Sequence, residues 1–194
     1  MVESNTVNND SERLMYKTIL DFCFEEVGSQ QFFEKDADFD ELLKERFSGL
    51  LKKAAASELY EWRTSIEGRL AEIIILDQFS RNIYRDTPAA FAQDSMALAL
   101  AQEAVTAGAL EILETVEARK FILMPYMHSE SKLIHQRAVT LFEQYTNAQT
   151  IEAEMKHKVI IDRFGRYPHR NDILGRVSSG EEIEFLTQPD SSFL

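Results

Sequence analysis

The chain has almost no cysteine, too little positive charge to offset its acids, and no long apolar run. Its single cysteine, Cys23, rules out an internal disulfide, and apolar neighbours mark it as a buried thiol of a reducing compartment rather than a nucleophile. Lys and Arg number 21 against 33 Asp and Glu, for a formal net charge of −12. An acidic surface of that size repels nucleic acid and anionic membranes, so neither is an expected partner. Residues 1–50 alone carry 12 acids against 5 bases, in the manner of solvated helix faces. The apolar runs are far too short to span a bilayer, and the opening MVESNTVNND lacks the basic start and apolar stretch of a signal peptide. A cytoplasmic location is expected. Several chemical signatures are missing too: no Gly-rich phosphate loop, no GxSxG elbow, no HExxH, no HxxxH and no cysteine pair. No metal site and no cofactor is expected.

What the sequence does contain is helical periodicity. The 194 residues are 44% hydrophobic, enough for one good core, so a single domain over residues 10–194 behind a frayed tail at 1–9 is expected. Asp10 or Ser11 caps a first helix with Tyr16, Ile19, Leu20, Cys23, Phe24 and Val27 on one stripe and Gly28 at its stop. Phe32 and Phe33 pin the connection that follows. Asp38 opens a second helix, which fades near Ala56. Thr64 and Glu67 have capping-box spacing ahead of the segment Leu70 to Arg85, whose first half is apolar on nearly every side and so must be surrounded. A start at Thr87-Pro88, a restart at Asp94-Ser95 and a stop at Gly108 define the next stretch.

EARKFILM reads as a helix or a buried extended run interrupted by Pro125. Helices then follow from about Ser131 to Asn147, from Ile151 to Phe164, and after Ser178 and Ser179, where Ser178/Glu181 or Ser179/Glu182 forms a capping box. β-alternation is absent throughout. The expectation is an all-α fold of about eight helices in antiparallel pairs.

Three polar segments stand out against this apolar pattern. In the central helix, Asp77, Gln78, Arg81, Asn82 and Arg85 share one side, with Asp77 four residues before Arg81 in the favourable order for an ion pair. In the second, His128 and Glu130 lie two apart on a turn, as a base and its partner, as two metal ligands, which the missing motifs disfavour, or as a helix cap. The third is the loop from Ile160 to Arg176, with Arg163, Arg166, Arg170 and Arg176 against Asp162 and Asp172. Tyr167 before Pro168 stiffens it, and planar guanidinium groups suit carboxylates and phosphates. The alternative is that these arginines pair with Asp77, Glu72 or Glu130 and simply hold helices together. His135 and His157 are further titratable candidates.

The segments LDQFSRNIYRDTPAAFAQD, MPYMHSES and IIDRFGRYPHRNDILGR, followed by SSGEEIEFL, resemble the signatures of the bacterial domain-of-unknown-function family 924 over most of the chain. The resemblance implies an all-helical fold like the right-handed tetratricopeptide-repeat superhelix, or a helical bundle, and implies no activity. Its motif positions fall here on Asp77, Gln78, Phe79, Arg81, Asn82 and Arg85; on His128, Ser129 and Glu130; and on Arg163, Phe164, Gly165, Arg166, Pro168, His169, Arg170 and Asn171. His135 matches none.

The three segments are expected to converge on one site. On the favoured reading it binds a small anion or an acidic or C-terminal peptide through Arg81, Arg85, Arg166 and Arg170, with Arg163, Asn171, Asp77, Gln78 and Asn82 around them. On the alternative it is a hydrolase using His128 or His169 as base with Glu130 or Asp77 orienting it. A third reading makes the network a structural lock, with a protein partner elsewhere.

Overall fold

The computed structural model describes residues 15–189 and residue 191, and every regular element among them is helical. The expected tail and the Asp10/Ser11 cap lie outside the described residues. Helical residues 15–21 run into a π-helical turn, Phe22–Glu26, and together form α1. The 3-10 turn Ser29–Phe33 then buries Phe32 and leaves Phe33 exposed, so only one of the two pins the core. Helix α2, Ala37–Ala55, is capped by Asp36, whose carboxylate accepts from the backbone of Asp38 and Phe39. The cap thus precedes the expected Asp38 by two residues. Phe39, Leu43, Phe47 and Leu51, four apart, form its buried stripe.

Helix α3 comprises Ile66–Ile74, a π-helical turn at Ile75–Phe79 and Ser80–Ile83. Its cap is Ser65, which accepts from Gly68 N at 3.0 Å, whereas Thr64 turns back to donate to Glu61 O. Capping therefore falls one residue later than the Thr64/Glu67 spacing implies. A Cβ at Gly68 would lie 2.1 Å from Trp62 O, so no other residue fits there without moving the backbone. Every residue from Leu70 to Ser80 is buried, as expected for a helix apolar on all sides.

Thr87-Pro88 begins only the 3-10 turn Pro88–Phe91. In α4, Asp94–Thr106, Ala97, Ala101 and Ala104 are fully buried, small enough to let the helix pack closely on α3 and on α6. The short α5, Ala109–Ile112, leads to α6, Val116–Met127, which carries Pro125 inside it. The expected interruption does not occur there. Proline removes a single donor near the helix end, and the buried run Phe121–Met127 holds the helix until His128 N closes on Met124 O.

Helix α7, Lys132–Tyr145, and α8, Ala148–Phe164, are joined by two residues and pack on each other. Asn147 caps α8 by accepting from Thr150 N, and the helix begins three residues ahead of the expected Ile151. Ser179 and Glu182 form the capping box of α9, Gly180–Leu186.

One main apolar cluster joins α1 to α7, centred on Phe22, Phe32, Phe39, Phe47 and Phe79, with Phe22–Phe47 ring centroids 4.9 Å apart. Such edge-to-face contacts add to plain burial. Cys23 sits inside this cluster, where burial pushes its thiol pKa far up and makes it unreactive. Among the described residues no helix is long and apolar enough to cross a membrane.

Candidate functional site

The π-helical turn in α3 inserts an extra residue into the helix ladder just where the sequence changes from apolar to polar. Asp77 and Gln78 are buried there, and Gln78 Nε2 donates to Asp77 Oδ2. One turn on, Arg81 pairs with Asp77 Oδ1 at 3.0 Å and with Asp94 Oδ1, on α4, also at 3.0 Å. Asn82 Nδ2 donates to Asp40 Oδ1 at 3.0 Å, and Arg85 grips the same carboxylate through Nε and a second nitrogen. The polar face of α3 is thereby fastened to α2 and α4.

His128 ends α6 directly above this face. Its Nδ1 lies 2.8 Å from Asp77 Oδ1. Arg81 and His128 outweigh the burial that opposes ionisation of Asp77 and bring its carboxyl down to about 2. An ionised carboxylate only accepts, so Nδ1 of His128 carries the proton. Burial, then the Arg81 charge, lowers the His128 pKa against the pull of Asp77. The ring is therefore neutral at pH 7, with its lone pair on Nε2. That nitrogen makes no hydrogen bond to any described residue.

The loop after α8 completes the arrangement. Gly165, at φ +71°, takes the left-handed conformation that ends the helix. Tyr167 is then fully buried, donating its hydroxyl to Met127 O and its N–H to Glu130 Oε1 at 2.8 Å. Arg176 returns to Glu130 at 2.6 and 2.9 Å and to Tyr167 O at 3.1 Å. Glu130 is thus a loop anchor. Arg170 lies between the rings of Phe91 and Tyr167, 4.6 Å from each centroid, donating to Asp94 Oδ2 and to His128 O at 3.1 Å. Its Nε is buried without a partner among the described residues.

Between these elements lies a pocket of about 120 Å³. Gln78, Arg81, Asn82, Arg85, His128, His169 and Arg170 all line it, so the central helix, the HSE turn and the C-terminal loop do meet. Asp77 lies beneath it. His157, which donates from Nδ1 to Ala153 O at 2.8 Å, forms another wall, its ring 6.4 Å from that of His128. Burial lowers the pKa of His157 to about 3; burial and Arg170 lower that of His169 to about 4. Three neutral imidazoles thus face one cavity at pH 7.

Other expected site residues stand outside it. Arg163 packs over Phe164 and Phe185. Arg166 binds Glu182 and Val177 O. Asn171 is buried between Ser178 and Arg176. Arg81, Arg85, Arg166 and Arg170 each already hold a carboxylate of the chain. Glu130 is taken by Arg176 and Glu72 by Arg63.

Asp94, Tyr167 and Phe91 were not marked as site residues by the sequence. Asp94 resembles an ordinary helix start, and its partners are 13 and 76 positions away; only the tertiary fold brings them together. His157 stood out only as one titratable group among several. Among the described residues no three His, Cys, Asp or Glu are placed to hold a metal ion.

Comparison with known proteins bears on the whole chain. The profile of a family described as bacterial protein of unknown function, DUF924, matches residues 19–190. A solved structure of a protein of unknown function from Agrobacterium tumefaciens is 34% identical, with a TM-score of 0.84 over 90% of this chain and 97% of that one. No curated protein matches.

Proposed function

The chain belongs to the bacterial family DUF924, and we propose that its pocket is a small-molecule site in which the Asp77–His128 pair works as a general base. The observation that carries this reading is the His128 ring itself: neutral, held through Nδ1 by an ionised buried carboxylate, with Nε2 available at a cavity. In such an arrangement Nε2 takes a proton from water, the water oxygen attacks a bound acyl or phosphoryl centre, the bond from that centre to the leaving group breaks and the imidazolium returns its proton to the departing atom, while Asp77 remains ionised and steadies the imidazolium. Arg81 and Arg170 border the same cavity, and their guanidinium N–H groups, held by carboxylate partners, are the donors it offers where negative charge develops. The reaction class is hydrolytic.

A second reading is binding of a small anion or an acidic peptide without turnover, on a tetratricopeptide-like helical scaffold. The buried, unpartnered Nε of Arg170 favours it. Arginines already paired with carboxylates favour it less, because a ligand must share or displace those partners.

Turnover of a panel of activated esters, phosphomonoesters and amides distinguishes the two. His128→Asn should lower any turnover by about 10²- to 10⁴-fold, and diethyl pyrocarbonate should modify His128 in the folded wild type. Turnover unchanged in His128→Asn, or a His128 ring inert to the reagent, counts against acid–base chemistry.

A further inference from the structure

The cavity at His128 has a larger neighbour. A second lobe of about 360 Å³ shares Phe33, Met124, His128 and His157 with the first, so the two imidazoles lie at a wall common to both. The lobes differ in how their positive charge is held. Around the small lobe, Arg81, Arg85 and Arg170 are each neutralised by an internal carboxylate. In the large lobe the cation is Lys120, which forms no ion pair and no hydrogen bond among the described residues and stands 4.0 Å over the ring of Phe33.

Glu117, one turn earlier on α6, is the lobe's carboxylate. It acts on Lys120 only at a distance and does not bridge it, while burial lowers the lysine pKa. Across the lobe are Asn147, Gln149 and Thr150, the start of α8, whose first turn carries no acid. Val116 and Met127 complete the wall on the α6 side. A half-buried cation without a counter-ion, facing polar groups across a cavity that leads to His128, is the chemistry of an anion subsite.

We propose that the larger lobe takes the anionic end of the substrate, a carboxylate or a phosphate held by Lys120 against the first turn of α8, with the reacting centre lying at His128. This rests on the acid–base reading of His128 for its second half and is independent of it for the first. The substrate class is a small acid carrying a short apolar segment between its charge and the bond attacked.

Titration of the isotope-labelled full chain with inorganic phosphate, and separately with butyrate, tests the assignment by amide chemical shifts. Saturable shifts at Lys120, Gln149 and Thr150 are expected. Their dissociation constant should rise about tenfold or more in Lys120→Gln, the loss of one charge-assisted hydrogen bond, and stay near wild type in Lys120→Arg. The stronger of the two probes identifies the anion type. Shifts confined to the amides around Arg81 and Arg170, binding indifferent to Lys120→Gln, or no saturable shift with either anion overturns the subsite. If Lys120-dependent binding persists while His128 proves inert, the anion subsite stands and the general-base role falls.

Discussion

Two histidine–carboxylate pairs lie close together in this molecule, and they are built for different ends. His135 Nδ1 is 2.7 Å from Glu154 Oε1, its Nε2 is 2.9 Å from Ser129 O, and Tyr167 OH stands 3.2 Å away. Both members are fully buried. His128 is 2.8 Å from Asp77, at almost the same separation, yet only one of its nitrogens is engaged and it lines a pocket. What separates a lock from a candidate site here is the occupation of the second nitrogen. Tyr167 belongs to both, closing the first pair with its hydroxyl and flanking Arg170 with its ring.

If the first pair is a lock, breaking it should cost more than any other single substitution. Glu154→Ala leaves His135 buried with a lost partner and should destabilise by about 3–5 kcal/mol, seen as a fall in denaturant midpoint. A loss under half of that would erase the distinction.

Acid should act on the second region next. His157 and His169 have folded pKa values of about 3 and about 4, against about 6.5 in the unfolded chain. Below pH 6.5 the unfolded state therefore binds protons that the native state refuses, so stability is full above 6.5 and declines as pH falls towards 4. Each histidine contributes a slope of about 1.4 kcal/mol per pH unit in that window. Asp77, depressed to about 2, adds its own loss only below about pH 4. Denaturant melts from pH 7 to 4 should show the decline, and a His157→Gln, His169→Gln variant should flatten it.

A smaller stability effect is expected at the proposed base. His128→Asn removes one of three groups bound to the Asp77 carboxylate, Arg81 and Gln78 remaining, and should cost about 1 kcal/mol. The smallest effect belongs to the solvent side. Lys156→Ala, in an exposed pair with Glu152, should change stability by less than about 0.5 kcal/mol. A larger loss there would mean that the two buried pairs are not the principal polar determinants.

Helix identity was legible in the sequence because the apolar stripes of α2, α7 and α8 recur at helical spacing, and Gly165 and the Ser179/Glu182 box mark true ends. Caps were less so: Asp36 and Ser65 prevailed over neighbours of the same chemistry, because capping depends on which oxygen reaches a free N–H in space. Pro125 read as a break since sequence does not show how much burial surrounds one missing donor. The convergence of α3, the HSE turn and the C-terminal loop followed from their polarity beside apolar sequence. Part of their internal pairing did as well, Arg81 with Asp77 and Arg176 with Glu130; the rest did not, since Asp40, Asp94 and Glu182 meet arginines at separations of 45, 13 and 76, and 16 positions.

The ring nitrogens of His128 test the central claim most directly. Long-range proton–nitrogen correlation spectra of the imidazoles at pH 7 should show His128 neutral, with hydrogen on Nδ1 and none on Nε2. Hydrogen on Nε2, whether in the other tautomer or as the imidazolium, would contradict the account, because no base would then face the pocket.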